Sequence, residues 1–498
     1  MAKSENNGSA VLDVLIIGAG LSGVGAACHL QRECPDKSFA LLERRDEIGG
    51  TWDLFRYPGI RSDSDMYTMG YNFKPWTGTR VLADGPSIKG YVKEAAEENH
   101  VYDRISFGRK VVSAAWDSHE KLWTVTAVEE ASGRKETHQC RFLLGCTGYY
   151  NYDAGFTPDF PGRDDFKGEF VHPQHWPEDL DYSGKKVVVI GSGATAVTLV
   201  PAMAEAVEHI TMLQRSPGYI MSLPGDDFIT KPLSRWFSHR SLYRIGRAKN
   251  VRFQRFMYKI SKERPAAVRR FLLWGVRRAM GKEFDMTHFT PRYNPWDERL
   301  CFVPDGDLFE ALKSGKAEVV TDHIDRLTSK GIKLKSGREL EADIIVSATG
   351  LQMQIFGGME MQVDGRTINV ADHMTYKGVM VNDVPNLGFI FGYTNASWTL
   401  KADIAAEYVC RLLNHMDQKG CETVVARDTE GCKTDMPFFD LQSNYVKRAK
   451  DVVPKQGTKE PWKVLNNYLR DRPMLENDPI DDGVLQFDSL TAEESRAA

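Results

Sequence analysis

One pattern occurs twice in this chain and limits its architecture more than any other feature. Residues 11–23, VLDVLIIGAGLSG, and residues 184–196, GKKVVVIGSGATA, each run from an apolar stretch through a glycine turn toward a helix. Such a unit is a buried strand turning sharply into a helix, the opening of a dinucleotide-binding fold. A second strand with a similar ending closes each unit: Cys146-Thr147-Gly148 after the first, Ala348-Thr349-Gly350 after the second. This order predicts an α/β protein with two dinucleotide-binding, Rossmann-like domains, the second inserted into the first and itself carrying a helical insertion. The expected segments are 10–150 and 351–498 for the outer domain, 151–222 for a linker and the start of the inner domain, 223–297 for the helical insertion, and 298–350 for the inner domain's return. At 498 residues the chain has room for such cores.

The glycines carry the chemistry of each turn. Gly18, Gly20 and Gly23 have the G-x-G-x-x-G spacing: a sharp turn, close approach of backbone to a pyrophosphate, and close packing of helix on strand. The helix N-terminus then presents its amides to the phosphates. Glu43 lies twenty residues past Gly23, at the end of the expected strand Ser38–Leu42, where a carboxylate accepts hydrogen bonds from both ribose hydroxyls and repels a 2′-phosphate. The first site is therefore expected to take FAD or NAD. In the second, Gly191 and Gly193 are followed by Ala196 at the third position, and the strand His209–Leu213 ends in Gln214-Arg215. A guanidinium there suits the 2′-phosphate of NADP. FAD in one site and NADPH in the other imply hydride transfer between them, and hence an oxidoreductase.

Composition narrows the field further. A net charge of -4 gives no reason to expect a nucleic-acid partner, and no apolar run reaches membrane-spanning length. The eight cysteines include no C-x-x-C pair, which argues against a disulfide reductase and for a reduced, cytoplasmic setting. Lys231 to Lys282 is dense in Lys and Arg with Glu263 its only acid, interleaved with Trp236, Phe237, Phe253, Phe256, Tyr258, Phe271 and Trp274. The favoured reading is a pair of amphipathic helices that form a lid and pocket wall. Peripheral contact with an anionic membrane is the alternative. Oligomeric state has no signature here.

Two longer stretches narrow the reaction. Gly49 to Asp63, GGTWDLFRYPGIRSD, is similar to the signature G-G-x-W-x-x-x-x-[FY]-P-G-x-x-x-D of type I Baeyer–Villiger monooxygenases (class B flavin monooxygenases). Phe166 to Pro177, FKGEFVHPQHWP, resembles their linker fingerprint F-x-G-x-x-x-H-x-x-x-W-P. The resemblance implies an NADPH-consuming enzyme that converts ketones with dioxygen to esters or lactones through a peroxyflavin, with sulfide oxidation as a second activity. It implies that Ser22, Glu43, Thr51, Trp52, Asp63 and Val111 line FAD, that Thr195, Gln214 and Arg215 hold NADP, and that Arg61 sits near the junction. Arg299 falls where the family carries its active-site arginine, and Asp63 matches the acid that orients it. A guanidinium stays charged when desolvated, and such a partner offsets the cost of burying it. His172 and Trp176 read as linker residues governing domain movement, Trp398 as pocket wall or ordinary core. The rival readings are a heteroatom oxygenase acting on sulfur or nitrogen, and a non-catalytic flavoprotein that senses NADPH.

Overall fold

The computed structural model describes residues 10–78, 80–227, 232, 235–298, 300–439, 448–449 and 451–488. The first glycine unit forms strand β1 (Leu12–Ile17) and helix α1 (Leu21–Glu33), followed by β2 (Phe39–Leu42). β1 runs parallel between β2 and the strand Lys135–Gly145. Val14, Leu15 and Ile16 have no exposed surface, as a central parallel strand requires. An antiparallel meander, Arg109–Asp117, Leu122–Glu129 and Lys135–Gly145, widens the sheet to one side. Five strands from beyond residue 350 belong to the same sheet, two of them paired directly with its earlier strands: Glu360–Val363 beside Arg109–Asp117, and Leu387–Phe389 beside Lys135–Gly145.

The chain leaves this sheet through β3 (Tyr150–Gly155) and builds a second one from β4 (Glu169–Val171), β5 (Lys186–Ile190), β6 (His209–Gln214), β7 (Ala317–Thr321) and β8 (Ile344–Ser347). All five are parallel, in the order β7-β6-β5-β8-β4, and α2 (Ala194–Met203) follows β5. The returning strand Leu351–Met353 lies antiparallel to β3, so the two crossings between the folds are tied together. One sequence expectation is refined here. The first part of segment 151–222 reads as linker, yet β4 within it is an edge strand of the second sheet. Three residues, Glu-Phe-Val, are too short to show a period, and only their pairing with β8 makes them a strand.

The basic insertion folds as α3 (His239–Glu263) and α4 (Pro265–Met280), packed against each other. Its anchor is Arg247, buried on the inner side of α3. The guanidinium donates to the carbonyls of Tyr67 at 3.1 Å and Gly70 at 2.7 Å, and to Asp403 Oδ2 at 3.3 Å, on α5 (Trp398–Lys419). A buried arginine is tolerable when its donors are satisfied in this way. α5 packs along α1, closing the outer fold.

Candidate active site

In the first turn Gly18 adopts φ +104, and a Cβ there would stand 2.6 Å from the Cys146 carbonyl oxygen. A Cβ on Gly23 would stand 1.8 Å from the Gly18 carbonyl oxygen, so α1 can rest on its own turn only with glycine there. Gly20 caps α1 with no side-chain acceptor and no acid in the first turn, which leaves the amides at the N-terminus for an anion. Glu43 is buried at the end of β2. Its Oε2 accepts from Ala19 N at 2.7 Å and its Oε1 from Arg45 N at 2.9 Å. Burial pushes this carboxyl above its ordinary value, and the two amide bonds oppose that.

These residues border a large cavity. Gly18, Gly20, Ser22, Glu43, Thr51, Trp52, Arg61, Asp63 and Val111 all line it, whereas Gly23 packs behind the turn. Trp398 lines it too: its indole N–H donates to Ser22 Oγ at 2.7 Å, and its ring stacks on Tyr149 with centroids 5.3 Å apart. Ser22 thus has its hydroxyl fixed from α5. Two residues of the wall carry no sequence signal. Tyr149 and Tyr152 follow the Cys-Thr-Gly ending without any motif. Asp53, inside the G-G-x-W signature, is buried and bound by Arg45 at 2.5 Å and Lys89 at 2.7 Å. Burial alone would raise its carboxyl, but these cations hold it below the usual carboxylate range. The outcome is a turn, Gly49 to Leu54, nailed down from two sides. An uncapped helix N-terminus, turns in which a Cβ would collide with backbone, and an aromatic wall fit an elongated dinucleotide with a flat ring system.

The second turn repeats the design on α2. Gly191 has φ +145, with a Cβ position 2.4 Å from the Ala348 carbonyl oxygen, and Gly193 begins α2 without a side-chain cap. Space lies open around the Gly193 Cβ position, while Ala196 is buried where Gly23 stands in the first fold. Gly191, Gly193, Thr195, Ala196, Gln214 and Arg215 are not in the wall of the first cavity, but Ala194, Val197 and Thr198 of the same helix are. Gln214 is buried with its amide nitrogen engaged, donating to the His288 carbonyl at 2.7 Å and Thr321 Oγ1 at 2.9 Å. Arg215, next along, is exposed.

The first signature joins the two folds. A Cβ on Gly59 (φ +76) would stand 2.5 Å from Ala202 Cβ, so the Pro-Gly turn packs directly on α2. The Tyr57 hydroxyl is hydrogen-bonded to Thr195, and burial pushes its phenol up to about 12. Arg61 Nη1 pairs with Asp307 Oδ2 at 2.5 Å, across from the outer fold to the returning segment of the inner one. In the linker, His172 Nε2 donates to the Gly350 carbonyl at 3.1 Å and its Nδ1 accepts from Gln174 N at 3.2 Å. Acceptance at Nδ1 needs neutral imidazole, and burial holds its pKa below the ordinary value. Trp176 packs partly buried beside Tyr182.

A second cavity of about 400 Å³ adjoins the first, sharing Asp63, Ser64, Phe302 and Ala396. Its wall is mainly apolar, with Val81, Leu82, Met221, Leu223, Phe253 and Met257 among its residues. Trp296 and Leu300 line it as well; Arg299 between them lies outside the described residues. Two buried polar atoms of residues in this wall have no partner among the described residues: Trp296 Nε1 and Gln254 Oε1. Trp296 also carries a positive φ, 67°, uncommon for a bulky residue and a conformation that the surrounding loop must hold in place.

A dinucleotide cradle opening on an apolar chamber beside a second nucleotide turn defines a flavoprotein oxygenase, and the chain belongs to the flavin-binding monooxygenase-like family, whose model matches residues 82–384. A model for NAD(P)-binding Rossmann-like domains matches residues 16–76. The FAD-containing monooxygenase EthA of Mycobacterium tuberculosis is 52% identical over 478 residues, covering 96% of this chain and 97% of EthA. MymA of the same organism is 58% identical over 491 residues, covering 98% of this chain and 99% of MymA. Among solved structures, oxidised steroid monooxygenase bound to NADP superposes with a TM-score of 0.77 at 22% identity, over 96% of this chain and 99% of that one. Cyclohexanone monooxygenase in an open form superposes with a TM-score of 0.77 at 21% identity, over 97% and 100%. At such identities these likenesses establish the fold.

Proposed function

We propose that this chain is a Baeyer–Villiger-type monooxygenase that holds FAD in the first cavity, takes hydride from NADPH bound along α2, and oxygenates a ketone in the second cavity. Bound FAD would supply the redox and oxygen-activating chemistry, and the chain's residues arrange everything around it. Gly18, Gly20 and the α1 amides receive its pyrophosphate, Glu43 its ribose, and Thr51, Trp52, Val111 and Trp398 enclose the rest. The open N-terminus of α2 at Gly193 takes the NADPH pyrophosphate, with Thr195 beside it. Gln214 has its amide nitrogen committed to the fold, so recognition of the 2′-phosphate falls on Arg215. Asp63 borders both cavities, and Arg299 is assigned as the cation for carbonyl attack on the family resemblance alone.

The observation that carries this reading is the junction at Asp63, where a chamber with mostly apolar walls opens directly onto the nucleotide cavity. Such a chamber excludes water and admits an apolar carbonyl compound. Incubating the enzyme with NADPH and a panel of linear and cyclic ketones, then analysing products, tests the proposal: esters or lactones are expected. Sulfoxides from sulfides with no ester from any ketone would assign the chain to heteroatom oxygenation instead. NADPH consumption indifferent to every substrate would point to a sensor.

The coenzyme assignment has its own test. Arg215→Ala should weaken NADPH binding by about 1.5–3 kcal/mol, the scale of a hydrogen bond to a charged group. Use of NADH should change little. Equal losses with both coenzymes in steady-state kinetics would show that Arg215 only supports the fold.

A further inference from the structure

Every exposed Phe, Tyr and Trp among the described residues falls in one stretch, between Trp236 and Trp274. Trp236 is 82% exposed, Phe256 58%, Trp274 56% and Phe271 50%. Isolated exposed apolar residues are ordinary, but six aromatics confined to one short insertion are not.

The helices show how they are displayed. On α4, Val268, Leu272 and Val276 are buried at a spacing of four and form the inner stripe. The opposite side carries Phe271 and Trp274, with rings stacked at 6.3 Å, flanked by Arg270, Arg277 and Arg278. The Arg278 guanidinium lies over the Trp274 ring at 5.4 Å. On α3 the side opposite the Arg247 anchor carries Ile245, Arg252, Phe256 and Lys259, all exposed. Aromatic rings projecting between arginines are the pattern of a helix lying in a lipid interface: rings enter the headgroup boundary and the cations meet anionic headgroups. A protein partner would be met by a patch depleted in charge at its centre, the reverse of what is seen. The overall charge of -4 means that this basic face is a local feature and not a property of the whole surface.

We propose that the outer face of α3 and α4 seats the enzyme on an anionic lipid surface. The placement has a consequence that rests on the chamber reading above. Phe253, Gln254 and Met257 of the same α3 line the second cavity, so docking sets the lid of the substrate chamber against the bilayer. An apolar substrate then passes from lipid to chamber alongside α3.

The test uses the full-length, FAD-loaded enzyme and large vesicles, either pure phosphatidylcholine or phosphatidylcholine mixed with phosphatidylglycerol. The parent should co-sediment with the anionic vesicles at low salt, far less with neutral ones, and be released near ~1 M salt, where screening acts within about 3 Å. The double variant Phe271→Ser/Trp274→Ser and the triple variant Arg270→Gln/Arg277→Gln/Arg278→Gln should each bind at least tenfold more weakly. Their flavin content and turnover of a water-soluble ketone should match the parent's. Variants that sediment like the parent, or a parent indifferent to anionic lipid, would overturn the proposal. Loss of a self-association equilibrium in the variants, with no vesicle binding by the parent, would reassign the face to contact between copies of the chain. Vesicle binding reads the surface without any turnover, so an enzyme that docks but oxygenates no ketone would refute the chamber reading and leave this one standing.

Discussion

Arg299→Ala is expected to leave flavin content near that of the parent and flavin reduction by NADPH measurable, while ester formation falls at least about a hundredfold. That is the scale for removing one preorganised electrostatic stabiliser from a site that excludes water. Hydride transfer needs only two nucleotides stacked in register. Attack on a carbonyl gathers negative charge on oxygen, and only a fixed cation in a desolvated pocket can hold it there. NADPH consumed by the variant should then appear as hydrogen peroxide. Product analysis with a linear ketone, together with peroxide detection and the flavin spectrum during reduction, checks all three points. Ester yield retained in the variant would remove Arg299 from its assigned role.

The second large effect falls on cofactor retention. Gly23→Ala places a methyl group 1.8 Å from the Gly18 carbonyl oxygen, and both contacting groups belong to backbone. No rotamer change relieves that overlap; α1 must lift off its turn. Overpacking a well-fitted site costs about 1–3 kcal/mol, and a clash with backbone lies at or beyond the upper end. The displaced amides also lose their aim at the pyrophosphate. The purified variant should therefore carry little flavin, read from its absorbance, and melt at a lower temperature than the parent. The equivalent position of the inner fold is already Ala196, which shows that α2 stands farther off its turn. Full flavin loading in Gly23→Ala would contradict the packing described for α1.

Comparing the two turns shows what could be read in the residues and what could not. Glycine spacing is dictated by backbone sterics, so Gly18, Gly23 and Gly191 announce their turns in any sequence that contains them. Likewise residues 14–17 of β1 and 187–190 of β5 are unbroken apolar runs because both faces of each strand are covered there. The wall of the first cavity is different. Tyr149, Tyr152 and Trp398 reach it from a linker strand, its neighbour and a helix several hundred residues from α1, and no local pattern marks an aromatic as facing a ligand. β4 has no signal in the sequence because three residues carry no periodicity. The family resemblance implies Gln214 as an NADP contact, while the His288 carbonyl and Thr321 hydroxyl that hold its amide nitrogen become visible only in the folded chain. The basic insertion was legible as amphipathic helices. Which of its aromatics are covered depended on packing against the outer fold through Arg247.

Oxygen labelling tests the central claim most directly. The FAD-loaded parent enzyme, supplied with NADPH, a linear ketone and ¹⁸O₂, should form an ester that carries one labelled oxygen, with one NADPH oxidised for each ester. NADPH oxidation that yields no labelled ester from any of a broad set of ketones would contradict it.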